Sequence, residues 1–183
     1  MKNYTWKEAF EDACEGAKAG SPRYQTFVGY CYDHGRGVKR NGEMALHWYQ
    51  KAARNGYPDA MFNLAVLNDK GEGMVRNAAR AVRLYRQAAS RGHLQSQANL
   101  AAMLLDGDGV KKDTATGLQW LRRAARRGDP KSQYNLGRAY AAGVGVRKSV
   151  KYAQKWLSKA AQGGHAKAQR LLQSEMRDKA RRK

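Results

Sequence analysis

Acidic residues are scarce in this chain: 15 Asp and Glu stand against 35 Lys and Arg, for a formal net charge of +20 over 183 residues. Such an excess says nothing about the fold. It favours acidic partners, whether nucleic acid, an anionic membrane surface or an acidic protein face. The charge is uneven along the chain. Residues 1–20 hold Glu8, Glu11, Asp12 and Glu15 against Lys2, Lys7 and Lys18, a sum of −1, and the remainder carries +21. Cysteine is scarcer still. Cys14 and Cys31 alone make neither a disulfide framework nor a four-ligand zinc site. A bridge between the two is disfavoured, because Cys14 falls at an exposed register and Cys31 at a buried one.

No apolar run approaches the ~18 residues a membrane span needs. The opening "MKNYTWKEAFEDAC" has no hydrophobic signal core, which predicts a cytoplasmic protein. Removal of a signal would instead place it in the periplasm or outside the cell. The four histidines are His34, His47, His93 and His165, and no carboxylate pair or Cys/His constellation stands at a working spacing. We therefore expect no catalytic residue, no metal and no cofactor. The hydrophobic content of 42% and charged content of 27% describe a globular domain long enough for a sizeable core.

What the chain does have is an internal repeat. "LRRAARRG" (Leu121 to Gly128) recurs as "YQKAARNG", "YRQAASRG" and "LSKAAQGG", with Ala-Ala pairs starting at Ala52, Ala88, Ala124 and Ala160. Each step is 36 residues. A second signature keeps that step without a gap: "GRGV" at Gly35, "GEGM" at Gly71, "GDGV" at Gly107 and "GVGV" at Gly143. Looking for repeats first is what makes the architecture legible.

Each unit reads as two helices. The second begins at Asn41, Asn77, Asp113 or Ser149, whose side-chain oxygens suit a helix N-cap, and closes at Gly56, Gly92, Gly128 or Gly164, the residue type best suited to a left-handed C′ position. Its buried stripe in the first unit is Ala45, Trp48, Tyr49, Ala52 and Ala53. The first helix begins at Pro22, Pro58, Leu94 or Pro130, and proline tolerates the first turn. Its core registers are Val28/Leu64/Leu100/Leu136 and Gly29/Ala65/Ala101/Gly137. The second register holds only Gly or Ala and should mark the closest helix contact. Residues 1–21 read as an N-terminal capping helix, 22–57, 58–93, 94–129 and 130–165 as four repeats, and 166–183 as a C-terminal capping helix and basic tail that frays after Asp178. A solenoid needs such polar ends.

"NLAVLNDKGEGM", "NLAAMLLDGDGV" and "NLGRAYAAGVGV", each followed by Trp or Leu, Ala-Ala and Gly, resemble the Sel-one-like repeat (Sel1-like, SLR) family, a relative of the tetratricopeptide repeat. The resemblance covers about residues 22–177. It implies an all-α, right-handed αα-superhelical solenoid whose concave groove binds a protein or peptide, usually in bacterial scaffolds and adaptors. Members are often exported and some are disulfide-rich; this chain departs from the second by having no per-repeat cysteines, and its opening residues lead us to expect no signal. Its first unit also departs from the pattern, with Phe27 where the others have Asn63, Asn99 and Asn135.

The Gly-x-Gly turns are read as interhelix turns needing positive φ rather than phosphate loops, since in none is the second glycine followed directly by Lys-Ser/Thr. For the groove, the candidates are Phe27, Asn63, Asn99 and Asn135, with Phe62, Tyr134, Tyr30 and Arg138 beside them at registers that vary between units. A ladder of carboxamides can clamp an extended peptide, or each can bond its own backbone. The varying aromatics and Arg are types favoured at hot spots. The Thr26/Phe62/Ala98/Tyr134 register is read as one that packing does not dictate. For an acidic partner, the candidates are Lys111, Lys112, Arg122, Arg123, Arg126 and Arg127, in the third unit. The blander reading of these cations is a solvated face whose last-turn charges suit the helix C-terminus. The expected function is a non-enzymatic, monomeric protein-binding adaptor with an acidic partner, such as a regulator, an envelope or secretion component, or a toxin. The alternative is a nucleic-acid binder using the basic outer face.

Overall fold

A computed structural model of the chain describes residues 5–71 and 75–181. Glu72, Gly73 and Met74 of the second Gly-x-Gly turn lie outside the described residues. Ten helices and no strand occur among those described: α1 (Trp6–Lys18), α2 (Pro22–His34), α3 (Gly42–Arg54), α4 (Pro58–Lys70), α5 (Ala78–Ser90), α6 (Leu94–Asp106), α7 (Thr114–Arg126), α8 (Pro130–Ala142), α9 (Val150–Gln162) and α10 (Ala166–Arg181). The helix of α10 continues to Arg181, three residues beyond the point where fraying was expected.

The N-cap register works as its chemistry dictates. Asn41, Asn77, Asp113 and Ser149 accept from the backbone N–H of Met44, Arg80, Thr116 and Tyr152 at 3.0, 2.9, 3.0 and 3.3 Å. Thr5, one period before Asn41, does the same for α1 and forms a full capping box with Glu8. The closing glycines Gly56, Gly92, Gly128 and Gly164 all have positive φ, as do both glycines of the turns at Gly35, Gly107 and Gly143.

The chain divides after His93 into two compact units, Met1–His93 and Leu94–Lys183. In the first, each helix from α1 to α5 packs on the next in sequence. Its cores gather Ala13, Ala17 and Val28, then Ala45, Tyr49, Leu64 and Leu67. In the second, α6 to α10 pack in the same sequential way around Ala101, Leu118, Leu121, Ala125 and Leu136. The Gly/Ala register is the closest approach: a Cβ on Gly29 would meet the Tyr49 ring at 2.8 Å, and one on Gly137 would meet Leu157 at 2.8 Å.

A further register ties successive repeats and was not read from the sequence. Buried Gln25 and Gln133 each donate Nε2–H to a helix-end carbonyl eight residues back, Ala17 and Ala125, at 3.1 Å; Gln169 does so to Ala161 at 3.0 Å. These carbonyls end the preceding helix, where intrahelical donors run out.

Three readings need correction. Cys14 is half-buried rather than exposed, because its side chain leans on the Ala13/Ala17/Val28 cluster. Trp48 and its counterparts Trp120 and Trp156 sit half-buried at the rim; the fully buried register is the next one, Tyr49/Tyr85/Leu121/Leu157. Packing does dictate the Thr26/Phe62/Ala98/Tyr134 register in two repeats, where Thr26 and Ala98 are each only 8% exposed.

Candidate binding site

In the second unit, Asn135 and Arg138 of α8 line a cavity of about 400 Å³ together with Lys112 and Asp106. Its remaining walls are largely apolar: Leu105 and Ala102 of α6, Leu118 and Leu121 of α7, and Ala139, Ala142 and Val144. This is the arrangement a short peptide segment needs, an apolar floor with a few polar groups at the edge. None of the carboxamides of Asn63, Asn99 and Asn135 makes a hydrogen bond among the described residues, so all three keep donor and acceptor free.

The other groove candidates fall into aromatic stacks. In the first unit Trp6 stacks on Phe27 at 6.2 Å and lies 6.4 Å from Tyr30, which stacks on His34 at 4.2 Å. Phe27 also packs against the Ala13/Ala17/Val28 core, so it is partly structural. Phe62 meets His93 at 4.6 Å, and in the second unit Tyr134 meets His165 at 4.3 Å. These pairs share one spacing, aromatic at i and His at i+31. The repeats with Thr26 or Ala98 at the first position have Tyr57 or Asp129 at the second. That paired variation was in the sequence and was missed.

The six cations of the third repeat have separate surroundings. Arg123 lies over the Trp120 ring at 5.4 Å, as Lys51 lies over Trp48 at 5.2 Å and Lys159 over Trp156 at 5.4 Å. The second repeat, with Leu84 in place of Trp, has Gln87 in place of the cation. Arg127 donates to Gln97 Oε1 at 3.2 Å. Arg122 is half-buried, as are Gln50 and Ser158 of its register, while Arg86 is exposed, so the register is solvent-facing in the second repeat alone. Lys112 lines the cavity described above, while Arg126 and Lys111 stand exposed.

A polar set at each Gly-x-Gly turn differs between the units. In the first unit Arg40 and Arg76 donate Nε–H to the helix-end carbonyls of Asp33 and Asp69 at 2.9 and 2.7 Å. Arg76 also pairs with the Asp69 carboxylate at 3.2 Å. Burial, then the neighbouring Asp33 carboxylate, pushes the Tyr49 phenol well above its ordinary range. In the second unit the same registers read Leu105 and Ala141 for Asp, Leu121 and Leu157 for Tyr, and Lys112 and Lys148 for Arg. Neither lysine makes a hydrogen bond or ion pair among the described residues. The Arg76–Asp69 carboxylate pair has no counterpart at these turns, since Leu105 and Ala141 carry no carboxylate.

Burial also pushes the Cys31 thiol up to about 11, with the Cys14 charge adding to it, and both thiols are free. Among the described residues no group of His, Cys, Asp or Glu could hold a metal ion, and no helix is long and apolar enough to cross a membrane.

The family model of the Sel1 repeat matches residues 22–57, 58–93, 94–129 and 130–165. The chain is a Sel1-repeat protein. Its repeats therefore belong to an all-helical fold class that generally mediates protein–protein interaction and is non-catalytic in type. A solved protective antigen of uropathogenic Escherichia coli strains, displaying an SLR fold, is 35% identical with a TM-score of 0.84; the match covers 87% of this chain and 34% of that one. A Sel1 repeat protein from Oxalobacter formigenes is 33% identical with a TM-score of 0.83, over 88% of this chain and 66% of its own. The yeast (Saccharomyces cerevisiae) chitin synthase regulator SKT5 is 52% identical over 48 residues, 26% of this Sel1-repeat chain and 7% of the regulator. The chain thus spans only a small part of that regulator and about a third of the antigen.

Proposed function

We propose that this Sel1-repeat protein binds an acidic, partly apolar segment of another protein, and that the cavity between α6, α7 and α8 receives it. The observation that carries this reading is the lining of that cavity. Leucine and alanine form the floor, Asn135 offers an unbonded carboxamide, and Arg138 and Lys112 outnumber the single acid Asp106. The apolar floor supplies affinity through area removed from water, and the two cations steer and select a negative side chain.

The test is selection of a random peptide library on the immobilised protein, followed by affinity measurement at about 50 and 300 mM salt. Enriched peptides should pair an acidic with an apolar residue. Arg138→Glu with Lys112→Glu should weaken them by at least about tenfold, the scale of one desolvated charge pair. Peptides that bind this double variant unchanged would refute the reading. So would recovery of nucleic acid alone from a nuclease-controlled pull-down, abolished by reversing Arg122, Arg123, Arg126 and Arg127 to Glu.

A further inference from the structure

A second cavity of the same unit, about 480 Å³, is lined by Arg122 of α7, Arg147 and Lys148 of the last turn, Ser149, and the rings of Tyr140 and Tyr152. No carboxylate lines it. We infer that it is a binding site for a phosphate monoester dianion.

Three cations border one space, and none of them is ion-paired among the described residues. Like charges so gathered repel one another unless an anion sits among them. The chain contains its own control. At the equivalent turns of the first unit Arg40 and Arg76 donate to the backbone carbonyls of Asp33 and Asp69, and Arg76 also pairs with the Asp69 carboxylate; Lys148 makes neither bond, and Ala141 at that register offers no carboxylate. The remaining lining supplies neutral donors. Ser149 Oγ accepts from the Tyr152 N–H at 3.3 Å and keeps its own O–H to give. The tyrosine hydroxyls make no hydrogen bond among the described residues.

Phosphate fits better than carboxylate on two counts. A dianion balances more of a triple positive charge than a monoanion does. A tetrahedral group also accepts donors arriving from α7, the turn and α9, where a carboxylate offers two oxygens in one plane. The aromatic wall argues for an organic carrier. Tyr140 and Tyr152 stack at 5.2 Å, and Tyr152 is 50% exposed, so one ring face is open to an aryl group. No other repeat has aromatics at both of these registers.

The experiment is an NMR titration of the full chain at fixed ionic strength, following the amides of residues 146–152. The probes are inorganic phosphate, phenyl phosphate and chloride. Saturable shifts are expected with both phosphates and not with chloride. Tighter binding of phenyl phosphate supports the ester; binding no tighter than that of inorganic phosphate would overturn it in favour of free phosphate. Arg147→Gln with Lys148→Gln should weaken binding by at least about tenfold. Ala141→Asp, an exposed position that restores the missing carboxylate, should weaken it severalfold, while Arg126→Gln should leave it unchanged. Chloride moving the same amides equally, no saturation, or a double variant within about twofold of the parent would overturn the assignment.

Discussion

The arginine over Trp120 offers the sharpest test of whether these cations are bound or merely solvated. The perturbation is supplied by the chain itself, because the second repeat carries Leu84 and Gln87 at the same registers. We consider Trp120→Leu, Arg123→Gln and the pair. Trp120 is half-buried and packs against the cluster of Leu118, Leu121 and Leu136. Trimming it to Leu exposes or vacates some tens of Å² of apolar surface, about 1–2 kcal/mol. Arg123 is exposed with its guanidinium 5.4 Å from the ring centroid, a geometry in which a cation–π contact contributes about 0.5–1 kcal/mol. The double variant should therefore cost less than the sum of the singles by about 0.5–1 kcal/mol. The assay is urea unfolding followed by far-UV circular dichroism, with m held to a common value. Arg126→Gln is the control, since Arg126 makes no such contact, and its coupling to Trp120→Leu should vanish. A coupling for Arg123 under about 0.2 kcal/mol, or one no larger than that of Arg126, would refute the reasoning.

Gly145 has φ of +61° and an added Cβ would strike the Leu118 side chain at 2.5 Å, whereas Gly164 has φ of +86° with nothing within 4 Å. Gly145→Ala should thus cost about 2–5 kcal/mol and Gly164→Ala only about 1–2 kcal/mol, read from urea midpoints. The hydrogen bond from Thr116 holds the Asp113 carboxyl below its ordinary 3.8. Its cap contribution is complete above that value and is lost as pH falls through the lower folded one. Asp113→Asn should flatten this acid limb in a helicity titration, since Asn41, Asn77 and Ser149 caps do not titrate. With its thiol pushed up to about 11 by burial, Cys31 should hold roughly 0.1% thiolate at pH 8 and resist iodoacetamide until the chain unfolds. Half-buried Cys14 should react first, as peptide mass spectrometry will show.

Much of the fold was legible because it rests on local rules. A 36-residue step, an oxygen-bearing residue at each cap and a glycine at each stop depend on φ, ψ and first-turn donors, all of which act within a few residues. The Gly/Ala register likewise announces a close contact without revealing its partner. The site was less legible. Phe27 read as a groove residue because its repeat breaks the Asn pattern, yet Trp6 and the first core cover it. The i, i+31 stacks and the i, i+3 cation–Trp contacts left paired variation between repeats, a signal visible only when two registers are compared together.

The sequence by itself determined where the repeat helices are capped and stopped, the Gly/Ala and aliphatic registers of their core, and that the same unit recurs four times. Those properties follow from periodicity and caps. Tertiary structure alone decided what each cation does. In "LRRAARRG", Arg123 covers a tryptophan, Arg127 holds Gln97, Arg122 turns into a cavity and Arg126 meets only solvent. Four identical side chains differ in role because a charge is tied or freed by neighbours from other helices, and helical spacing specifies a direction but not what lies there.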